Sequence, residues 1–263
     1  MQIEFAKYQG TGNDFVLIDN RQNIISPQNI QLIQHLCDRK FGIGADGLML
    51  LENENSYDFR MRYFNSDGKE ASMCGNGGRC IVAFAYHLGI IKEQTHFIAV
   101  DGEHDANVLD QDGKLWVSLK MQDVQEVETG KNYFYLNTGS PHYVTFIEQS
   151  EGFDTYTEGK NIRYNERFKK EGTNVNFVQI ENDLLRVSTY ERGVEDETLS
   201  CGTGVVASAL SSSLLMDKPT GKLQVKTKGG DLQVRYHRSD QDNFTNIWLE
   251  GPATKVFKGN IQI

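Results

Sequence analysis

Two short stretches, Cys74-Gly-Asn-Gly77 and Cys201-Gly-Thr-Gly204, each set a thiol beside a pair of glycines. A thiol acts as a base only as its thiolate, and its ordinary pKa of about 8.5 falls toward neutrality where backbone N–H groups or a cation stabilise the negative charge. A helix N-terminus supplies both unpaired N–H groups and the positive end of the helix dipole, and glycines let an anion approach that backbone closely. Each motif precedes a segment that reads as a buried helix: residues 80–91 contain no Asp, Glu, Lys or Arg, and residues 202–216 are small or apolar throughout. Each motif therefore combines a candidate general base with a cradle for a carboxylate. Two such thiols approaching one ligand from opposite sides suit inversion at an α-carbon. One thiolate takes the α-proton from one face, the other thiol delivers a proton to the opposite face, and the helix ends stabilise the charge that develops on the carboxylate. That scheme calls for no cofactor.

The two thiol motifs belong to a longer repeat. They are separated by 201 − 74 = 127 positions, and the same offset carries Thr11-Gly12 onto Thr138-Gly139, Tyr63 onto Tyr190 and Glu70 onto Glu197. The chain thus reads as two related halves, each a Thr-Gly loop, a strand ending near Tyr, a turn, and Cys-Gly-x-Gly opening a helix. Short runs rich in Val, Ile, Phe and Tyr at 59–64, 96–100, 115–119, 175–180, 184–190, 223–225 and 246–249 read as strands. Ser66-Asp67-Gly68, Asp112-Gly113 and Lys228-Gly229-Gly230-Asp231 punctuate them as turns. The expected fold class is α+β, two pseudo-symmetric domains that each curl a mostly antiparallel sheet around a central helix, with the active site in the cleft between them. The repeat alone puts the domain boundary near residues 120–132.

The other two cysteines read as small buried hydrophobes. Cys37 falls in the apolar stripe Ile30, Ile33, Leu36, Cys37 of a helix expected to begin with Ser26 as cap and Pro27 at its first position. Cys74 and Cys80 form C-x5-C with no second Cys/His pair at finger-like spacing, so no metal site is expected. Four scattered cysteines in 263 residues do not make a disulfide framework, which points to a reducing, cytoplasmic setting. With 27 Lys+Arg against 36 Asp+Glu the chain carries a net charge of −9, which argues against a nucleic-acid partner, and Arg167-Phe-Lys-Lys170 reads as a solvated face. No apolar run approaches the ~20 residues that span a bilayer, so no membrane association is expected, and the N-terminal residues carry no targeting pattern.

Five stretches together resemble the diaminopimelate epimerase family: Gly10-Thr-Gly-Asn-Asp-Phe-Val16, Phe64-Asn-Ser-Asp-Gly68, Met73-Cys-Gly-Asn-Gly-Gly-Arg-Cys80, Tyr190-Glu-Arg-Gly193 and Glu197-Thr-Leu-Ser-Cys-Gly-Thr-Gly204. The resemblance implies interconversion of LL- and meso-2,6-diaminopimelate for lysine and peptidoglycan synthesis, without pyridoxal phosphate or metal. It implies a homodimer, and a last strand that returns to the first domain, giving domains of 1–122 with 253–263 and of 123–252. By position, Cys74 and Cys201 match the catalytic pair. Gly75-Asn76 and Gly202-Thr203 match the residues that hold the reacting carboxylate. Asn13, Asn65, Asn174, Glu191 and Arg192 match substrate contacts, and His142 and Glu191 match groups that tune the thiols. These residue types suit a ligand with two amino-carboxylate ends, since Arg binds carboxylates in bidentate fashion and amide or carboxylate oxygens accept from ammonium groups. Two positions depart from the pattern: Ser140 stands where the family often has Asn, and Gly47 where some members have Gln.

Three other readings compete. Gly42-Ile-Gly44-Ala-Asp-Gly47 fits the dinucleotide fingerprint, but it follows the helix-like 28–41 and leads into the strand-like 48–51, the reverse of the order a nucleotide site needs. A thiol redox sensor or amino-acid-binding protein would use Cys74 and Cys201 as a switchable disulfide. A proline racemase or hydroxyproline epimerase would also pair two cysteines, but tends to carry His where this chain has Asn76.

Overall fold

A computed structural model of the chain describes residues 2–240 and 242–263. They form a mixed α+β structure of two compact units, one running to Leu119 and completed by Gly251–Ile263, the other Lys120–Glu250. In chain order the first unit contains β1 (Gln2–Gly10), β2 (Asn13–Asp19), α1 (Ile30–Cys37), β3 (Gly47–Glu52), β4 (Arg60–Asn65), β5 (Glu70–Ala71), α2 (Gly75–His87), β6 (Gln94–Ala99), β7 (Gly102–Gln111) and β8 (Lys114–Lys120). The second contains β9 (Val127–Thr129), β10 (Tyr133–Asn137), β11 (Pro141–Phe146), α3 (Thr155–Arg163), β12 (Asn174–Glu181), β13 (Leu184–Glu191), β14 (Asp196–Thr198), α4 (Gly202–Leu215), β15 (Thr220–Thr227), β16 (Gly230–Arg238) and β17 (Phe244–Pro252). The last strand, β18 (Thr254–Gln262), pairs with β1.

In unit 1 the apolar pattern of the strands explains the layering. Val16, Ile18, Leu48, Leu50 and Phe64 pack with Ile33, Leu36 and Cys37 of α1. The alternate residues of the same strands turn to the opposite face, where α2 lies, so that Met49 reaches Gly77. A strand covered on both faces cannot alternate with polar residues, which is why Leu48-Met-Leu-Leu51 is buried throughout. In unit 2, Val175, Phe177 and Tyr190 pack beside Ile162 of α3, and α4 packs against β11, β12 and β13.

Strand pairing repeats between the units. In the first, β2–β3 is parallel, β3–β4 and β4–β5 antiparallel, and β4–β6 parallel. In the second, β11–β12, β12–β13, β13–β14 and β13–β15 follow the same sequence of senses. The repeat extends to an exchanged strand: β9 follows β8 in the chain but pairs with β10 of unit 2, while β18 follows β17 but pairs with β1 of unit 1. Partners Tyr8↔Lys255 and Tyr135↔Glu128 keep the offset, since 135 − 8 = 255 − 128 = 127.

Two details differ from the sequence expectation. The first helix starts at Ile30, not at Pro27, because the Ser26 hydroxyl bonds Gln28 in a preceding turn and Asn29 caps the helix by accepting the Leu32 N–H at 3.2 Å. Its Ile30 is 48% exposed, which removes that residue from the buried stripe. Second, Gly47 pairs with Asn65, whereas Val175 pairs with Tyr190, so Asn174 comes opposite Glu191. Asn65 is thus level with Glu191 and not with Arg192; the turn after β13 holds one residue more than the turn after β4, and the offset of 127 is restored at β14.

Candidate active site

Unit 1 places its thiol at the N-cap of α2. Cys74 has extended backbone (φ −99°, ψ 148°), and its Sγ accepts the Gly77 N–H at 3.2 Å, the position a Ser or Asp oxygen commonly takes. Position 77 favours glycine, because a Cβ there would lie 2.4 Å from Met49 Cε, which would have to shift, and 3.1 Å from the sulfur itself. Behind this first turn Arg79 is completely buried and donates to Gly75 O (3.1 Å), Asn76 Oδ1 (3.0 Å), Thr11 Oγ1 (3.1 Å) and Pro252 O (3.4 Å). A guanidinium only donates, so the oxygen of the Asn76 amide must face it and the nitrogen must face away. That nitrogen donates to Asn13 Oδ1 at 2.6 Å, and Asn13 Nδ2 donates to Asp46 at 3.0 Å. The network therefore assigns both amide orientations. Thr11 and Gly12, the two linking residues of the β1–β2 hairpin, have φ of 50° and 101°, and this left-handed pair brings the Thr11 hydroxyl to Arg79 and Asn76. Asn65 lies outside this chain of bonds, exposed at the end of β4, where its carbonyl accepts the Gly68 N–H at 2.9 Å.

Unit 2 places Cys201 at the N-cap of α4, with its Sγ 3.5 Å from Thr203 Oγ1. His142, completely buried, has Nε2 2.9 Å from Thr203 Oγ1 and Nδ1 3.0 Å from Asn176 Nδ2. Asn176 Nδ2 also donates to the Tyr143 carbonyl at 3.2 Å, and Asn176 Oδ1 accepts from Thr189 at 2.9 Å. A carbonyl only accepts, so the amide nitrogen is the atom facing both Tyr143 and His142. His142 Nδ1 is then an acceptor, its proton sits on Nε2, and Thr203 Oγ1 receives that proton's hydrogen bond. The Thr203 hydrogen is left to point at Cys201 Sγ or at Ser140 Oγ, 3.3 Å away. Burial pushes the imidazole down to about 3, helped by the charge of Arg192 and opposed by the Asn176 bond, so the ring stays neutral. Thr203 Oγ1 is the atom that stands between the ring and the Cys201 sulfur.

The remaining unit 2 residues surround this relay. Thr138 donates to the Thr203 carbonyl at 2.8 Å. Asn174, buried at the start of β12, donates to Pro141 O at 3.1 Å and Ser140 Oγ at 3.4 Å and accepts the Arg192 N–H at 2.9 Å. The Arg192 guanidinium is exposed and reaches Glu171 O at 3.1 Å. Burial raises the Glu191 carboxyl above its usual range, with Thr198 opposing. Ser140 occupies the place that Asn13 has in unit 1, since 13 + 127 = 140, and it meets Thr203 as Asn13 meets Asn76.

Arg79, Asn176 and Asp46 escaped the reading of the sequence. The signals were present: a charge at the head of an otherwise uncharged helix, and an Asn inside the buried run Val175-Asn-Phe-Val178. Gly42 to Gly47, the supposed nucleotide fingerprint, instead ends α1; a Cβ at Gly42 would lie 1.8 Å from His35 O, and Ile43 and Gly44 both donate to Leu36 O.

The sequence profile of the family described as diaminopimelate epimerase matches residues 5–131 and 134–256. The chain is 52% identical to the diaminopimelate epimerase of Flavobacterium psychrophilum, over 98% of this chain and 100% of that one. It is 42% identical to that of Chlorobaculum tepidum, over 97% and 99%. Among solved structures, a phenazine biosynthesis protein of the PhzF family from Bacillus anthracis superposes with a TM-score of 0.79 at 12% identity, covering 100% of both chains. A hydroxyproline epimerase from Agrobacterium vitis superposes with a TM-score of 0.70 at 13% identity, covering 99% of this chain and 92% of that one. At such identities these two establish a common fold alone. Cysteines at the N-cap positions of two equivalent helices, and relatives this similar along their whole length, place the chain in the diaminopimelate epimerase family.

Proposed function

We infer that this protein is a pyridoxal-phosphate-independent amino-acid epimerase that interconverts LL- and meso-2,6-diaminopimelate, in the supply of lysine and peptidoglycan precursors. The observation that carries the reading is the pair of N-cap thiols, Cys74 on α2 and Cys201 on α4, each above a Gly-x-Gly helix start. Inversion requires both thiols to address one α-carbon from opposite faces. The thiolate takes the α-proton as the Cα–H bond breaks, the electron pair delocalises into the carboxylate, and the second thiol donates its proton to the other face, so a thiol and a thiolate are exchanged in each turnover. Backbone N–H groups at Gly75-Asn76 and Gly202-Thr203 are the stabilisers of that carboxylate.

In this reading Asn13, Asn65, Asn174, Glu191 and Arg192 bind the ammonium and carboxylate groups of the substrate, and His142 and Glu191 tune the thiols. The two compact units serve as its two domains. The reading includes a cytoplasmic homodimer. Among the described residues no helix is long and apolar enough to cross a membrane.

The test is proton NMR of the reduced protein in deuterated water with LL-diaminopimelate, and with proline in parallel. Loss of the α-proton signal and growth of the meso isomer with diaminopimelate alone is the expected result. Exchange with proline alone would move the protein to the racemase reading, and exchange with neither, thiols intact, would leave a binding or sensor protein.

A further inference from the structure

We propose that Arg79 is a positioning residue of this reaction, the internal counter-cation that holds Cys74 as the thiolate and the clamp that orients Asn76 and Asn13 toward substrate; the proposal rests on the epimerase reading. Arg79 lies in the second turn of α2, completely buried, at the end of the helix where the dipole is positive. Its four acceptors are carbonyl, amide and hydroxyl oxygens, and no carboxylate is among them. A buried cation without an anion is costly, and one at a helix N-terminus more so. The fold itself does not demand it: the equivalent position of α4, 79 + 127 = 206, is a fully buried Val206.

An anion must therefore complete the site, and the titratable groups facing this end of α2 narrow the choice. Cys80 is completely buried and pushed up to about 12, chiefly by burial, so it stays a thiol. Tyr8, from β1, has its hydroxyl 2.8 Å from His87 Nδ1 at the opposite end of α2, and burial raises it, so it stays a phenol. Asp101, in the turn before β7, takes the Met73 N–H at 3.3 Å and lies 3.3 Å from His104 Nε2, and it is not among the acceptors of Arg79. Cys74 is the remaining group: part-exposed, capping the same turn, and accepting the Gly77 N–H. Burial pushes Arg79 down to about 10 while Cys80 and Cys74 pull it upward, so it remains a cation at neutral pH. At the head of α4 no buried cation stands among the described residues; the charge that reaches His142 there is that of the exposed Arg192, and the relay beneath Cys201 is itself neutral.

The experiment is alkylation by iodoacetamide between pH 5 and 9.5, read cysteine by cysteine by mass spectrometry, which reports thiolates whether or not the protein turns over any given substrate. In the wild-type protein Cys74 is expected to reach half-maximal labelling rate about one pH unit below Cys201; equal midpoints, or a lower one for Cys201, overturn the proposal without any variant. Arg79→Met should raise the Cys74 midpoint by about one unit or more, a loss of about tenfold in labelling rate at pH 7, while leaving Cys201 in place. Arg79→Lys, which keeps the charge, should restore most of it. In turnover, Arg79→Met should lower kcat at pH 7 and recover activity as pH rises, which a merely loosened helix would not do. An unmoved Cys74 midpoint in folded Arg79→Met, or an equal shift at both cysteines, overturns the proposal. Absent epimerisation with the expected labelling would count against the reading of function and not against Arg79.

Discussion

Beneath the helix start that carries Cys74 stand Phe15 and Met49; at the matching positions beneath Cys201 stand His142 and Asn176, since 142 − 15 = 176 − 49 = 127. The backbone frame is shared in other respects too. Thr11 and Thr138 both bond the second residue of their helix, and Gly77 and Gly204 both leave room for the strand below. What differs is how the sulfur is surrounded. Unit 1 has an apolar floor and a buried permanent cation, while unit 2 has a neutral amide–imidazole–hydroxyl relay and, at position 206, a valine. Unequal surroundings give the two sulfurs unequal tendencies to ionise. Duplication supplied equal frames, and substitution of a few inward-facing side chains made them unequal.

Removing either thiol should have the largest effect. Cys74→Ala and Cys201→Ala are each expected to cut epimerisation by about a thousandfold or more, with slow solvent exchange persisting on one face, as followed by α-proton NMR. Epimerisation surviving in either variant would break the two-base scheme.

The helix-start glycines should separate the two floors. In Gly204→Ala the new Cβ would lie 2.4 Å from Asn176 Oδ1 and 3.3 Å from both His142 and Thr189, forcing apart a buried hydrogen-bonded network; about 3 kcal/mol of stability should be lost, with most of the activity. Gly77→Ala meets chiefly Met49 Cε, the end of a flexible side chain, and should cost about 1 kcal/mol by urea denaturation. Equal losses would show that the floors do not differ in rigidity.

His142 gives the comparison a pH dependence. Its folded pKa of about 3 lies below the ordinary 6.5, so folding favours the neutral ring. Its stabilisation is complete above pH 6.5 and is lost as pH falls toward 3, at about 1.4 kcal/mol per pH unit. His142→Phe, which installs the unit 1 residue, should remove about 2 kcal/mol of the stability lost between pH 6.5 and 5, measured as urea midpoints across that range. An unchanged slope would mean that the ring is solvated.

Ser140→Asn should have the smallest effect. Restoring the counterpart of Asn13 should change KM by less than about threefold and leave kcat alone, by steady-state kinetics. A large loss would show that the Ser140–Thr203 contact is itself required.

Much of the frame was legible because its causes are local. The Cys-Gly-x-Gly starts, the uncharged helices behind them and the turn residues act on neighbours a few positions away, and the repeat needed only counting. The strand at 184–190 was legible as well, but not the slip that levels Asn65 with Glu191, because register depends on the length of a turn that both sequences tolerate. The start of α1 was misread because Ser26 and Asn29 are both good caps, and only the turn through Gln28 chose between them.

By itself, then, the amino-acid sequence determined the duplicated α+β frame, the two cysteines at helix N-cap positions and the reaction class, since helix-start chemistry and apolar period are written in adjacent residues. Tertiary structure alone decided that Arg79 meets no carboxylate among the described residues and that His142 carries its proton on Nε2. Those outcomes depend on hydrogen-bond partners distant in the chain: the acceptors Thr11, 68 positions from Arg79, and Pro252, 173 positions away, and the donor Asn176, 34 positions from His142. A hydrogen-bond direction is assigned only when every partner is in place.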